Sequence, residues 1–214
     1  MQGMATAWTH RDEYSSVDAI LKGLYFLGVL AQVLIRIPHE RRRRKTRMVV
    51  ERVDALERAL LGLLFVGVLF VPAVYASTSW LARADYRLTP QAQRSAGGVG
   101  AALMTFAVWL FWRSHADLGR NWSPSLQLRE GHELVTEGVY RYVRHPMYAS
   151  EWVWGIAQAL LLQNWIAGWA GLALFMPLHV ARVPREEQMM VERFGEAYRE
   201  YINRTGGIVP RLGS

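Results

Sequence analysis

Residues 152–181, WVWGIAQALLLQNWIAGWAGLALFMPLHVA, carry no charge over 30 positions, and their reading decides the fold. As one straight helix they would be roughly 45 Å long, against a hydrocarbon core of about 30 Å. The middle of the stretch holds Gln163-Asn164, a polar break beside Trp165, a residue that favours the membrane interface. The sequence therefore predicts a tight hairpin, with one span from about Pro146 to Leu162 and the next from about Trp165 to Ala181. Polar groups crowd both feet of that hairpin. Arg144-His145-Pro146-Met147-Tyr148 stands before it and Arg185-Glu186-Glu187 after it, which points to a site at the membrane–water boundary.

Three more apolar stretches precede the hairpin. Between Arg58 and Arg83 lie 24 uncharged residues, and between Arg94 and Arg113 lie 18. Residues 17–37 are interrupted only by Asp18 and Lys22 near one end and Arg36 near the other, where the long basic side chains can snorkel. Uncharged runs of about 18 or more residues read as membrane spans. The expected fold is thus an all-α integral membrane protein with about five transmembrane helices. Residues 1–112 would form a three-span membrane region. Residues 113–214 would contribute a cytoplasmic loop, the helical hairpin and a C-terminal amphipathic helix. The short loop Glu40-Arg41-Arg42-Arg43-Arg44-Lys45-Thr46-Arg47 is strongly basic, and such loops stay in the cytoplasm. With five spans the N-terminus is then outside, while the 113–150 segment and the tail are inside. The net charge of +7 suits a cytoplasmic face lying on anionic lipid.

Several function classes are excluded. The chain has no cysteine, hence no thiolate nucleophile and no cysteine-based metal site. The six histidines form no short-spaced HxxxH pair, so no metal is expected. Gly97-Gly98-Val99-Gly100 begins a span instead of joining a strand to a helix, which excludes a Rossmann cofactor domain. Placed between two spans, the basic run reads as a topology signal and not as a nucleic-acid patch. The polar N-terminus lacks a basic region followed by a small-residue cleavage site, so no signal peptide is expected.

The 113–150 segment is punctuated by Gly119, Asn121, Pro124, Gly131 and Gly138 and reads as an ordered, irregular loop. His145 precedes a proline and is biased to extended backbone, while Pro146 suits a first helical turn. His145 therefore marks a helix entrance, either as a simple cap or as part of an anion-holding site. Tyr140, Tyr142 and Tyr148 are either an aromatic belt or a platform for a flat ring. After the hairpin, Pro184 is expected to break the span and start a tail helix. Met190, Phe194, Ala197, Tyr198 and Tyr201 recur on one face of it. Glu186 shares that inward face, four residues before Met190. Glu187 lies about 100° round, nearer solvent, where it answers the helix dipole.

The stretch from Gly131 to Tyr148, followed by Arg185-Glu186-Glu187 and Phe194-Gly195-Glu196-Ala197-Tyr198, resembles the isoprenylcysteine carboxyl methyltransferase family. That family's pattern is Arg-His-Pro-x-Tyr, a hydrophobic hairpin, then Glu-Glu and a Phe-Gly-Glu-x-Tyr helix. The resemblance covers roughly residues 115–204. It implies a membrane-embedded S-adenosylmethionine site without a Rossmann domain, formed by the loop and the C-terminal helix. By position, His132, Glu133, Leu134 and Val135 would line the cofactor largely through backbone. Tyr140, His145, Pro146, Met147 and Tyr148 would continue that wall, Glu186 would reach it from the tail, and Arg182 would face the acceptor. Arg182 and Glu186 are the residues expected to carry the transfer. Val183-Pro184-Arg185 stands where relatives that act on prenylated proteins carry a longer acidic run.

The chemistry agrees with that resemblance. Methyl transfer from a sulfonium needs positioning more than acid–base help when the nucleophile is already an anion, and an arginine can hold a carboxylate in a fork of two hydrogen bonds. The expected activity is S-adenosylmethionine-dependent methyl transfer, releasing S-adenosylhomocysteine, to a lipophilic or prenylated acceptor. It is most like that of a protein-S-isoprenylcysteine O-methyltransferase. Phospholipid N-methyltransferases, small-thiol S-methyltransferases and the C-terminal part of some sterol reductases, which use NADPH, look related in the same region. A non-catalytic membrane scaffold is the further alternative. The partners would be membrane lipids and the acceptor, with the site on the cytoplasmic side, of the inner membrane in a prokaryote. The acceptor's identity and the oligomeric state are not written in the sequence.

Overall fold

A computed structural model of the chain describes residues 2–43, 48–51, 54–122, 127–129 and 133–211. Its helices are α1 (Gln2–Arg43), α2 (Ala55–Phe65), α3 (Val71–Ser77), α4 (Pro90–Leu118), α5 (Pro146–Leu162), α6 (Ala167–Phe194) and α7 (Glu196–Arg204). A π turn at Val66–Phe70 joins α2 to α3 without a break. Among the described residues, three helical stretches are long and apolar enough to cross a membrane: Ser16–Arg41, Ala55–Ser77 and Pro90–Leu118. Among the described residues, a short antiparallel ribbon, β1 (Met48–Glu51) against β2 (Gln127–Arg129), adds to the helices.

α5 is the hub, packed on α4, α6 and α1, while α2 packs on α6. Tyr25, Met104, Trp154, Leu161 and Leu162 form the buried centre of this bundle. Apolar side chains also point outward from α1, α2 and α4; Ile20 is 61% exposed and Phe65 60%. In water such a surface would be a liability. Around a bundle whose backbone bonds are satisfied within its helices, it is the lipid-facing surface.

The hairpin turns at the residues the sequence singles out. Gln163 ends α5 in the left-handed region at φ 48°. Asn164 Nδ2 donates to the carbonyl of Leu81 and to Asp85 Oδ1, each at 2.8 Å. Its Oδ1 accepts from the amides of Ile166 and Ala167 and so caps the start of α6. Close helix approach follows from small residues: a Cβ on Gly171 would lie 2.2 Å from Gln158 Oε1. Gln158 Nε2 instead donates to the carbonyls of Gly67 and Ala167 at 3.0 and 2.7 Å. Tyr25 donates to the Val68 carbonyl at 2.5 Å. The carbonyls displaced by the π turn thus find partners on two neighbouring helices.

Three expectations are corrected. The segment after Arg113 is not irregular at once, because α4 continues to Leu118 and Asp117 accepts from Arg113 one turn back at 2.6 Å. The proposed boundary at 112/113 therefore falls inside a helix. Pro184 does not break the last span: α6 runs through Pro177 and Pro184 to Phe194. Side chains on either side of Pro184 are tied to α2, α5 and the preceding loop, and these ties hold the helix in register past the missing N–H. The break comes at Gly195, whose φ of 58° suits glycine, so the expected single stripe from Met190 to Tyr201 is divided between α6 and α7.

Candidate active site

The ribbon, the 133–145 loop, α7 and the last turns of α6 gather at one end of the bundle. A cavity of about 530 Å³ opens there and runs between the helices, within the range of small-molecule and cofactor sites. Its wall has two characters. Toward the loop it is polar and aromatic, with Glu133, Tyr140, His145, Glu186, Tyr198 and Tyr201. Toward the membrane it is apolar, with Val29 and Val33 of α1, Leu61, Leu64 and Phe65 of α2, and Phe175 and Leu178 of α6. At the far end α1 touches the second span, as the Tyr25 bond and Lys22 over the Tyr75 ring show. At the near end both helices line the cavity, so the apolar limb lies between them.

The polar half is built around one carboxylate. Glu187 Oε1 accepts from Arg144 Nε and Nη2, each at 3.0 Å, and lies 3.0 Å from His145 Nε2. A carboxylate only accepts, so the imidazole carries its proton on Nε2. These bonds, with His145 first among them, hold the Glu187 carboxyl at about 2, below its ordinary 4.5. Arg144 also donates to the carbonyls of Ile202 and Thr205. Its backbone N–H and that of His145 donate to the carbonyls of Gly206 and Gly207. The helix entrance is thereby stitched to α6 and to the tail. On the other side, Asp117 Oδ2 accepts from the Val139 amide at 2.9 Å, and a Cβ on Gly138 (φ 62°) would fall 2.2 Å from that same oxygen. This sets the turn that carries Tyr140. Tyr140 is buried, receives the Tyr201 hydroxyl on its carbonyl at 2.5 Å, and has its own hydroxyl pushed well above the ordinary range by burial.

The deeper half holds the second acid. Tyr148 donates to Glu186 Oε2 at 2.8 Å. Arg182 lies one turn back on α6, with its guanidinium 6.0 Å from the centre of the Tyr148 ring. Its counter-charge is Glu57 of α2, 3.7 Å away and 3% exposed. The resemblance turns Arg182 toward the acceptor; the protein itself also sets a carboxylate beside it.

Glu133, Leu134, Val135, Tyr140, His145, Pro146, Met147, Tyr148, Arg182 and Glu186 all line this one cavity, and His132 lies outside the described residues. The placement of Glu187 near solvent is corrected: its side chain turns back onto Arg144 and His145. Asp117, Arg144, Glu57, Glu151 and Arg36 were missed as site residues. For the last two a signal existed, since a charge within a span is a functional candidate by default. The sequence reading sets Arg36 at a span end as a snorkelling residue, and Glu151 lies within the span expected from Pro146 to Leu162. Among the described residues no group of three or more His, Asp or Glu is placed to hold a metal.

Comparison with known proteins bears on this arrangement. Residues 100–192 match the isoprenylcysteine carboxyl methyltransferase (ICMT) family. The matched segment starts within α4, crosses the loop and both hairpin helices, and ends past Glu187. The protein-S-isoprenylcysteine O-methyltransferase of Dictyostelium discoideum is 33% identical over 120 residues, 53% of this chain and 49% of that protein. Protein-S-isoprenylcysteine O-methyltransferase B of Arabidopsis thaliana is 35% identical over 94 residues, 43% and 48% of the two chains. The human protein-S-isoprenylcysteine O-methyltransferase is 31% identical over 107 residues, 49% and 38%. The chain thus matches about half the length, or less, of these relatives. A solved structure of the eukaryotic intramembrane Ras methyltransferase ICMT aligns with 77% of this chain and 55% of its own at 24% identity and a TM-score of 0.47.

Proposed function

We propose that the ICMT-like segment and the helices around it form a membrane methyltransferase that uses S-adenosylmethionine on a lipophilic acceptor, most like a protein-S-isoprenylcysteine O-methyltransferase. The observation that carries this reading is the gathering of the Arg-His-Pro-Met-Tyr motif, Arg182 and Glu186 on one cavity with a polar loop-side half and an apolar limb between α1 and α2. The donor set suits the cofactor. The Glu186 carboxylate can meet a cationic group, and Tyr198, Tyr201 and Trp122 offer faces to a flat ring. The extended Glu133–Val135 backbone lines the same wall, steadied by Asn121 Oδ1 accepting from the Glu133 amide at 3.1 Å.

When bound, S-adenosylmethionine supplies an electrophilic methyl group on a sulfonium. The chain's own part is positioning and exclusion of water. The Glu187 clamp fixes the helix entrance, and Tyr148 orients Glu186. Glu57 orients Arg182, whose planar guanidinium is turned to the cavity that would take an acceptor carboxylate. The apolar limb between α1 and α2 admits a hydrocarbon chain from the bilayer, while the loop end admits a polar cofactor from water. Isothermal titration with S-adenosylhomocysteine and NADPH tests the class: the first should bind and the second should not. Methyl transfer to N-acetyl-S-farnesylcysteine tests the acceptor. Binding of NADPH alone would favour the reductase reading, and binding of neither would favour a scaffold.

We further propose that α5 and α6 also cross, giving five spans with the site on the cytoplasmic side. The 17 residues of α5 are the lower end of what a span needs. The loop carrying Ser79 and the turn at Trp165 sit together at the end opposite the site. Single cysteines at Ser79 and Arg199, both exposed, should label from opposite faces of intact cells. Labelling of both from outside would overturn the orientation.

A further inference from the structure

We propose that a groove beside the hairpin turn, at the end of the bundle opposite the active site, is a phospholipid site, with a phosphate on Arg87 and an acyl chain along α5 and α6. This rests on the five-span reading above, which sets that end at a membrane surface, and not on the reaction. The groove has a volume of about 410 Å³ and shares no residue with the catalytic cavity. Its membrane side is α5, where Ile156, Ala159 and Leu160 lie on one face, and α6, which adds Trp169. Its rim is Trp165 of the turn with Tyr86 and Arg87 of the preceding loop. Leu162 ends α5, so Ile156 lies about 9 Å below the turn at 1.5 Å per residue. The groove thus descends from the interface into hydrocarbon.

The fold fixes this groove in place. The Tyr86 amide donates to the Gln163 carbonyl and the Trp165 amide to the Ala84 carbonyl, each at 2.8 Å. Asp85 is the one acid in residues 78–89, and its Oδ1 accepts from Asn164 Nδ2 at 2.8 Å, so its charge is committed to the turn. Tyr86 leans on Trp165, with ring centres 4.7 Å apart. Beneath them α5 and α6 come close: a Cβ on Gly168 would fall 3.0 Å from the Ala159 Cα. Small residues make the floor and aromatic rings the walls. Arg87 stands exposed at the rim, and among the described residues no carboxylate pairs with it. A guanidinium above an apolar slot, at the level where Trp and Tyr favour the interface, matches the two ends of a phospholipid. A soluble anion would use the rim and leave the slot empty. An uncharged hydrocarbon would fill the slot and leave the arginine unanswered. Arg83, exposed in the same loop, lines no part of the groove and is the internal control.

The test uses purified full-length protein in phosphatidylcholine vesicles with a trace of one of two probes. These are a phosphatidylglycerol and a diacylglycerol that carry the same diazirine-bearing acyl chain. Photo-crosslinked peptides are mapped by mass spectrometry. The α4 face at Phe106 and Trp109, each 47% exposed, is the standard for ordinary lipid contact. Relative to that standard, phosphatidylglycerol should label residues 156–169 about fivefold more than diacylglycerol, the effect of one arginine on an anionic headgroup. Arg87→Ala should remove this excess and Arg83→Ala should leave it. Trp165→Ala takes away a wall that is 65% exposed and should lower labelling there by both probes. Equal labelling by the two probes in the wild type, or an excess that survives Arg87→Ala, overturns the site and leaves the spans standing. Labelling of the α4 face with none at 156–169 from either probe sinks the membrane placement of that end along with the site.

Discussion

Arg182→Lys should lower kcat/KM by about 10²-fold or more, while S-adenosylhomocysteine affinity stays within a few-fold of wild type. The substitution is chosen over Arg182→Ala because of Glu57. That carboxylate is 3% exposed and lies 3.7 Å from Arg182. Truncating one partner of a buried pair costs about 3–5 kcal/mol in stability, enough to confuse lost folding with lost catalysis. Lysine keeps the charge opposite Glu57 but cannot offer a planar fork to a second carboxylate. Turnover and stability then separate: thermal unfolding should shift little while turnover collapses. A fully active Arg182→Lys would show that Arg182 serves only as the counter-ion of Glu57. In that case Glu57→Gln should be the more damaging change, because it leaves the guanidinium without its buried carboxylate.

The sequence discloses the bundle more readily than the site. Long uncharged runs and the Gln163-Asn164 interruption depend on local patterns of residue type. The hairpin accordingly turns at Gln163, and α5 spans Pro146–Leu162. The continuation of α6 past Pro184 was not legible, because the local rule is overridden by ties from Arg182, Arg185, Glu186 and Glu187 to residues distant in sequence. The site splits in the same way. Residues in the two compact motifs and in the Glu133–Val135 stretch could be picked out by resemblance, and they meet at one cavity. Arg36 and Glu57 belong to no motif, and only tertiary packing of α1 and α2 on the C-terminal helices brings them there; Glu151 lies one turn past Tyr148 on α5, outside the motif but on the same helix. Glu187 was misjudged because a rotation of about 100° on a helix says nothing of what stands opposite that face. Here it is Arg144 and His145.

Glu187→Ala should therefore weaken S-adenosylhomocysteine binding by about tenfold or more, at least as much as Glu186→Gln, and should lower the melting temperature as well. The reason is the number of partners released at once. Arg144 loses two donor contacts, His145 loses its Nε2 acceptor, and the entrance to α5 keeps its ties to the tail through the carbonyls of Ile202, Thr205, Gly206 and Gly207. Glu186→Gln acts differently. It removes a charge that faces the cavity and leaves that scaffold in place. Acidity distinguishes the clamp from a surface charge. The folded-state value for Glu187 is about 2, depressed from 4.5. A depressed carboxylate stabilises the fold fully above its unfolded value and loses that contribution as pH falls toward the folded one. The difference in melting temperature between wild type and Glu187→Gln should thus be constant from neutral pH down to about 5 and shrink between about 4.5 and 2. A variant that melts and binds like wild type at pH 7 would mean that Arg144 and the tail hold His145 unaided. Glu187 would then be the solvent-facing dipole partner that its helical position suggested.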